Sequence, residues 1–363
     1  MINVTKSFLP DKEEYIGYIN QIWDSVHLTN NGPLLQRLEE ELRRFTGIDN
    51  LYFCSNGTVV LEIALKALNI TGEVITTPFS YCATSNVIIW NNCVPVFVDI
   101  DPDTFNINAD LIEAAITPET RAILATHVYG NPCDVEKIEA IARRHNLKVI
   151  YDGAHGFGVT YKGRSLLSYG DISTCSLHAT KIFHSVEGGL ISTSHPELNH
   201  SLQLLRAFGH KGDEEYFYAG INGKNSEFHA AMGLCNLPHV PEIIRYRRQV
   251  FSWYDNNLDW EHLKKPLLAG QMEYNYAYYP VVLPSEDVLH QVQQGLQAIG
   301  VGCRRYFHPS LNTLSFMPRH YSCPVSENIA SRVVALPLFV GLEEQVVVRI
   351  SSAINGIIRA AIL

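Results

Sequence analysis

One lysine in the sequence lies in surroundings that could make its amine reactive. Lys181 stands between two apolar, strand-like runs and has no acidic residue within five positions on either side. A lysine so placed either extends its amine into solvent or loses its proton through desolvation and becomes a nucleophile. Ser176 lies five residues earlier, and Glu187–Gly189 forms a tight turn that returns the chain to a strand. The pairing with Ser176 favours the reactive interpretation.

Three other groups of residues follow predicted strands, and in open α/β sheets ligands gather at such strand ends. Asp152 comes directly after an apolar strand; it could stay ionised beside a protonated ring nitrogen, or cap a helix or lie in a surface turn. Tyr81 could stack on a flat ring or only cover the sheet edge. Gly57 and Thr58 begin a helix whose free amides suit a phosphate, although threonine is also an ordinary helix cap.

A single cofactor accounts for all of these features. Pyridoxal 5′-phosphate (PLP) needs a lysine for its aldehyde, a carboxylate on its ring nitrogen, a stacking ring and a cup for its phosphate. These roles are filled in order by Lys181, Asp152, Tyr81 and, for the phosphate, Gly57, Thr58 and Ser176. We therefore predict a PLP site.

The elements that must position these residues follow from the hydrophobic pattern. Between residues 51 and 195, short β-rich runs alternate with helical stretches, which predicts an α/β fold with a mainly parallel sheet covered by helices. Helices dominate after Leu190, and a final section mixes strands with helices up to a last helix over Glu343–Leu363. We predict a large α/β domain, with the N-terminal segment, over residues 1–240 and a smaller α+β domain over 241–363, with Pro238 and Pro241 at the boundary.

The composition argues against several classes of partner. The chain has 363 residues, 46% of them hydrophobic, and a formal net charge of -9 from 28 basic and 37 acidic side chains. So acidic a chain is a poor candidate for binding nucleic acid, which requires clustered cations. No apolar run is long enough to cross a membrane, and the N-terminus lacks the pattern of a secretory signal.

The sequence lacks the motifs of several other classes of enzyme and of metal-binding protein. Gly156-Phe-Gly158 is followed by Tyr161 where a dinucleotide-binding motif needs glycine, and neither the P-loop nor the Gly-x-Ser-x-Gly pattern occurs. The histidines form no metal-binding pair of the His-x-x-x-His type, so we expect no metal site. The eight cysteines contain no Cys-x-x-Cys pair, and we expect them reduced and buried in a cytoplasmic protein.

Several short blocks along nearly the whole chain resemble, in order and spacing, the DegT/DnrJ/EryC1/StrS group of nucleotide-sugar aminotransferases, which are fold-type I PLP enzymes. The blocks are Leu28–Pro33 with Leu38–Glu40, Ser55–Thr58, Pro78–Thr84, Asp152–His155, Ser176–Lys181 with Glu187–Gly189, Gly220–Ala231 and Arg304–Pro309.

The resemblance implies a role for each matching residue. Lys181 would bond to the cofactor and then move the proton, Asp152 would hold the ring nitrogen, and His155, where glutamine is common, would face the phenolic oxygen. Asn222 would reach the phosphate from the neighbouring subunit, which implies a homodimer with shared sites. The remaining matches are Tyr81 for stacking and Gly57, Thr58 and Ser176 for the phosphate.

The resemblance also implies the reaction. L-Glutamate would give its amino group to the cofactor, leaving 2-oxoglutarate and pyridoxamine 5′-phosphate, and a keto group on a nucleotide-linked sugar would accept it. His184-Ser185 stands where we expect Asn-Thr in relatives that aminate C3. This favours C4 of dTDP-4-keto-6-deoxy-D-glucose, giving dTDP-4-amino-4,6-dideoxyglucose for O-antigen or related deoxyaminosugar biosynthesis. Predicted sugar contacts are Asn30, Asn31, His184, His210, Lys211, Tyr306 and His308, although His184 could equally be a packing residue.

Two alternatives remain. One is amination of C3 of a dTDP-3-keto-6-deoxyhexose. The other is a non-catalytic regulatory protein that binds PLP without turnover, and the presence of both Lys181 and Asp152 makes it the weaker alternative.

Overall fold

The computed structural model describes residues 1–212 and 214–362. The strands, in chain order, are β1 (Asn50–Cys54), β2 (Glu73–Thr76), β3 (Val94–Phe97), β4 (Thr120–Thr126), β5 (Lys148–Asp152), β6 (Thr160–Tyr161), β7 (Arg164–Ser165), β8 (Ile172–Ser176), β9 (Gly189–Thr193), β10 (His210–Lys211), β11 (Glu215–Tyr216), β12 (Met272–Glu273), β13 (Tyr279–Val282) and β14 (Val333–Leu336).

The helices lie between the strands and on both sides of them along the chain. They are α1 (Lys12–Ser25), α2 (Pro33–Thr46), α3 (Gly57–Ala67), α4 (Ala83–Trp90), α5 (Ala109–Ile112), α6 (Val135–His145), α7 (Pro196–Leu205), α8 (Glu227–Asn236), α9 (Val240–Asn257), α10 (Glu286–Ala298), α11 (Pro324–Arg332) and α12 (Glu344–Ile362). The last helix was predicted over Glu343–Leu363, and Leu363 lies outside the described residues.

A seven-stranded sheet in the order β1-β9-β8-β5-β4-β2-β3 forms the centre of the molecule. The pairs from β8 through β5, β4 and β2 to β3 are parallel, whereas β9 runs antiparallel to both of its neighbours. Strands β1, β2, β4, β5 and β8 therefore all end at one edge of the sheet, and β9 starts there. The predicted α/β class with a mainly parallel sheet is confirmed.

Both faces of this sheet are covered, as the continuous apolar runs of its strands require. Successive side chains of a strand point to opposite faces. In β5, Ile150 packs in a buried cluster with residues of α3 and α4, whereas Val149 and Tyr151 pack in another cluster with residues of α5 and α6. The sheet is thus held rigidly between two helical layers, and its strand ends are fixed relative to one another.

The C-terminal part of the chain has a core of its own, formed by α9, α10, α12 and the antiparallel pair β13–β14. The predicted boundary at 240/241 lies at the beginning of α9, and it stays a prediction. The N-terminal residues also contact this part, because Ile2 pairs with Val301 and the Leu338 amide donates to Val4 O at 3.0 Å. In the described residues, no helix is both long and apolar enough to cross a membrane.

Candidate active site

The beginning of α3 and the end of β8 approach each other closely because residue 57 is glycine. A Cβ at Gly57 would lie 2.8 Å from the Cβ of Ser176, closer than real carbon atoms approach. The helix cap is Asn56, whose side chain accepts from the amides of Thr58 at 3.0 Å and Val59 at 2.9 Å. The capping role considered for Thr58 therefore belongs to Asn56, and the exposed Thr58 side chain lines a cavity with Ser176.

Asp152 ends β5 as a buried carboxylate with two hydrogen-bond donors from the protein. Its Oδ2 accepts from the Thr84 hydroxyl at 2.8 Å, and its Oδ1 accepts from the Ala154 amide at 3.0 Å. Burial raises the pKa of Asp152, although these two hydrogen bonds and the charge of Lys181 pull the pKa downwards. The carboxylate is thus anchored inside the sheet edge.

A chain of hydroxyl groups extends from this carboxylate into the sheet. The hydroxyl oxygens of Ser80 and Thr84 are 2.7 Å apart, and those of Ser80 and Thr126 are 2.9 Å apart. Since Thr84 donates its one proton to Asp152, it must accept from Ser80, which in turn accepts from Thr126. The sequence analysis gave these three residues no role, although Ser80 and Thr84 lie in the matching block Pro78–Thr84 and Thr126 ends β4.

The Lys181 side chain lies near Asp152, and its Nζ donates to the Tyr278 hydroxyl at 3.4 Å. Burial lowers the pKa of the Lys181 amine, but the phenolic oxygen of Tyr278 and the carboxylate of Asp152 outweigh burial, so the pKa is raised. The proton loss through desolvation considered from the sequence is therefore not produced by the protein's own groups. Tyr278 directly precedes β13, and the sequence analysis gave it no role.

His155 lies on the same side of the cavity as a buried, neutral ring. Burial lowers the pKa of His155 well below its ordinary value, and the charge of Lys181 lowers the pKa further. The rings of Tyr278 and Phe307 pack against it, with centroids 4.9 Å and 5.6 Å away.

These side chains share one cavity of about 830 Å³. It brings together most of the residues predicted to hold the cofactor and one of those predicted to hold the sugar: Gly57, Thr58, Tyr81, Asp152, His155, Ser176, Lys181 and Tyr306. It is also lined by residues to which the sequence analysis gave no role, including Glu62, Trp90, His178, Tyr278 and Arg304. Arg304 places a cation in a cavity predicted to take a diphosphate.

Other predicted residues lie outside the lining of this cavity in the described part of the chain. His184 is buried; its Nε2 donates to Phe8 O at 2.7 Å, and its Nδ1 accepts from the Val186 amide at 3.3 Å, which favours the packing alternative. Asn222 is exposed, and its side-chain oxygen accepts from Lys224 at 2.8 Å. The remaining residues are Asn30 and Asn31 before α2, His210 and Lys211 on β10, and the exposed His308.

Comparisons with known proteins show the family and the fold of the chain. Residues 10–355 match the family model described as the DegT/DnrJ/EryC1/StrS aminotransferase family. The chain is 40% identical over 362 residues to a dTDP-4-amino-4,6-dideoxy-D-glucose transaminase of Shigella dysenteriae, covering 98% of this chain and 99% of the relative. It is 38% identical over 370 residues to a transaminase of the same name from Escherichia coli, covering 98% of each. A crystal structure of DesI with its TDP-sugar product has a TM-score of 0.92 and 31% identity, covering 99% of this chain and 93% of DesI.

Proposed function

The chain belongs to the DegT/DnrJ/EryC1/StrS family of PLP-dependent sugar aminotransferases, and from this premise we propose its donor, acceptor and position of amination. The donor is L-glutamate, and the acceptor is the C4 keto group of dTDP-4-keto-6-deoxy-D-glucose. One observation carries the aminotransferase mechanism: Lys181 and Asp152 line a single cavity together with the predicted phosphate residues. The name and 40% identity of the Shigella dysenteriae relative support C4 as the position of amination.

The residues of the cavity fit PLP. The approach of Gly57 to Ser176 leaves no room for a Cβ, and it places two hydroxyls and the N-terminus of α3 where a phosphate would be held. Asp152 would hold the ring nitrogen, Tyr81 would stack on the ring, and Lys181 would bond to the aldehyde. When bound, the cofactor supplies a ring that stabilises the electron pair left when a proton is removed.

The chain's own residues then hold and move the proton. The Lys181 amine would be the base that takes the α-proton from the amino donor and passes it to the carbon that the cofactor's aldehyde supplies, and Tyr278 would orient that amine through the 3.4 Å hydrogen bond. Thr84 and Ala154 donate to the two oxygens of Asp152 and favour its charged form, against the burial that raises its pKa. The aromatic side chains of Tyr278, Tyr306 and Phe307 line this end of the cavity and would limit the access of water to the Lys181 amine.

The proposal is tested by an assay that distinguishes the alternatives. The PLP-loaded protein is incubated with L-glutamate and either dTDP-4-keto-6-deoxy-D-glucose or a dTDP-3-keto-6-deoxyhexose, and the amine position is read by NMR. We expect an amine at C4 only. An amine at C3 would support the alternative acceptor. Bound PLP with no pyridoxamine 5′-phosphate formed from L-glutamate would support a regulatory protein instead.

We further propose that two copies of this chain form the working unit. Asn222 does not line the cavity of its own chain, so it is available to a neighbouring one. A second, smaller cavity is lined by both Trp90 and Ile221. It joins the exposed side chains near Trp90 to the exposed side chains near Ile221. Contact between these exposed apolar side chains and water is unfavourable, and a second copy of the chain would cover them. The exposed side chains are Tyr81, Trp90, Phe208, Tyr216, Phe217, Tyr218 and Ile221.

Replacing Asn222 with alanine tests the shared site. In a homodimer, Asn222→Ala should weaken PLP binding roughly 10-fold, because one hydrogen bond to a charged phosphate is lost. Affinity is measured by titrating the apo-protein with PLP, and light scattering should show twice the mass of one chain for both proteins. The exposed Asn3 serves as the matched control, and Asn3→Ala should leave the affinity unchanged. A monomer with unaltered affinity in Asn222→Ala would contradict the proposal.

Replacing Gly57 with alanine tests the phosphate cup. The added methyl group would meet Ser176 at 2.8 Å, so α3 must move away from β8, and PLP binding should weaken roughly 10-fold. The matched control is Gly17 in α1, where an added Cβ meets no atom within 4 Å. Equal PLP affinities for Gly57→Ala and Gly17→Ala would place the phosphate elsewhere.

We also propose a cytoplasmic location. All eight cysteines are free in the structure. Cysteines 54, 93, 133, 175, 235 and 323 are buried, which suits a reducing compartment.

A further inference from the structure

His155 accepts a hydrogen bond that determines where its ring carries a proton. The backbone amide of Tyr129 donates to His155 Nδ1 at 3.2 Å. A backbone N–H can only donate, so Nδ1 must present a lone pair and carries no proton. In a neutral imidazole the single proton is then on Nε2.

The surroundings of the ring keep it neutral. His155 is 6% exposed, and the groups that face it are the amine of Lys181 and the rings of Tyr129, Tyr278 and Phe307. The positive charge of Lys181 opposes a second positive charge on the ring, and the carboxylate of Asp152, which lines the same cavity, does not raise the pKa of the ring. The ring therefore has one N–H, and it lines the cavity that contains Lys181.

Several contacts hold the Tyr129 amide in this orientation. The residue has φ 56° and ψ 15°, the left-handed region that side chains other than glycine adopt only when their surroundings impose it. Its hydroxyl donates to Tyr306 O, and its carbonyl accepts from the Tyr274 hydroxyl at 2.9 Å. Its ring also stacks on Phe307 with centroids 5.9 Å apart. These contacts hold the Tyr129 backbone in this conformation, in which its amide points at His155.

We propose that Tyr129 is a positioning residue whose amide fixes His155 as the Nε2–H tautomer, which makes His155 a permanent hydrogen-bond donor to an anionic oxygen in the cavity and not an acid–base group. That the oxygen is the phenolic oxygen of PLP rests on the proposed function. A glutamine amide also donates an N–H, so this device lets histidine replace the glutamine that is common at this position.

The tautomer is tested by ¹⁵N NMR of the apo-protein labelled at histidine rings and backbone amides. We expect an unprotonated Nδ1, a protonated Nε2 and a scalar coupling across the hydrogen bond between the Tyr129 nitrogen and Nδ1. These signals should be constant from about pH 5.5 to 8, where an ordinary histidine titrates. The signals that disappear in the His155→Gln variant are assigned to His155. A proton on Nδ1, or titration in this range, would overturn the proposal.

His127 provides a matched internal control. Its Nδ1 accepts from the Cys133 amide at 3.1 Å, and burial lowers its pKa to about 3, so it should show the same tautomer. Because His127 does not line the cavity, adding PLP should shift the Nε2–H signal of His155 and leave that of His127 in place. Shifts of both signals, or of neither, would contradict a donor role for His155.

The donor role is tested by PLP affinity. His155→Gln retains a donor and should bind PLP within about 3-fold of the unsubstituted protein, whereas His155→Leu should bind roughly 10- to 100-fold more weakly. Circular dichroism checks that both variants fold. Equal affinities in both variants would overturn the donor role. Failure of the unsubstituted protein to bind PLP would instead refute the proposed function, and the NMR result on the apo-protein would still decide the tautomer.

Discussion

Replacing Lys181 with alanine should lower turnover by at least about 10⁴-fold, because the variant loses both the amine that bonds to the cofactor and the base that moves the proton. Borohydride reduction of the PLP-loaded protein, followed by peptide mapping, should label Lys181 in the unsubstituted protein and no residue in Lys181→Ala. PLP should still bind without a covalent bond, because Asp152 and the phosphate residues remain.

Two controls make this result specific. Lys181→Arg keeps the positive charge beside Asp152 but offers no amine that can bond to the aldehyde, so it should be as inactive as the alanine variant. Lys12→Ala removes an exposed lysine at the beginning of α1 and should be fully active. A Lys181→Ala protein that retained full activity, or a label on another lysine, would refute the assignment of the reactive amine.

Replacing Asp152 with asparagine should have the second largest effect. The neutral side chain cannot stabilise a positive charge on the cofactor ring, and turnover should fall about 10²- to 10³-fold, the range for removing one preorganised electrostatic partner. The absorbance of bound PLP should change at the same time, which separates an effect on the cofactor from one on the sugar. Asp49→Asn, at an exposed position before β1, should change neither quantity.

The stability of the Asp152→Asn variant shows whether its lower activity comes from unfolding. Burial raises the pKa of Asp152 in the folded chain. Its contribution is therefore favourable below the unfolded pKa, where the group is protonated, and is lost as pH rises through the folded pKa. The asparagine variant cannot ionise, so its apo form at neutral pH should be at least as stable as the unsubstituted apo-protein in denaturant titrations. A less stable Asp152→Asn would show that the carboxylate is needed for folding.

Much of the fold and of the cofactor site was predictable because each depends on local pattern. Alternating strands and helices predict a parallel sheet, and such a sheet brings the ends of its strands to one edge whatever their order. Gly57, Asp152, Ser176 and Lys181 all lie at or just beyond strand ends, and they meet in the cavity.

Residues that reach the cavity from distant parts of the chain were not predictable in this way. Tyr278 and Arg304 come from the C-terminal part, and the docking of that part on the sheet leaves no periodic signal in the sequence. His184 shows the converse case, because a position close to Lys181 in sequence does not place a side chain in the cavity. Its ring turns inwards and donates to Phe8 O, so His184 connects two parts of the fold.

The sequence by itself predicted which groups could react, namely the lysine, the carboxylate and the phosphate residues, and it placed them after strands of an α/β fold. The tertiary structure decided their state of protonation, because protonation depends on neighbours that are distant in sequence. Tyr278 and Asp152 raise the pKa of Lys181, and Tyr129 leaves His155 with its proton on Nε2. Such effects act only over a few ångströms in space, and only the folded chain brings those groups so close.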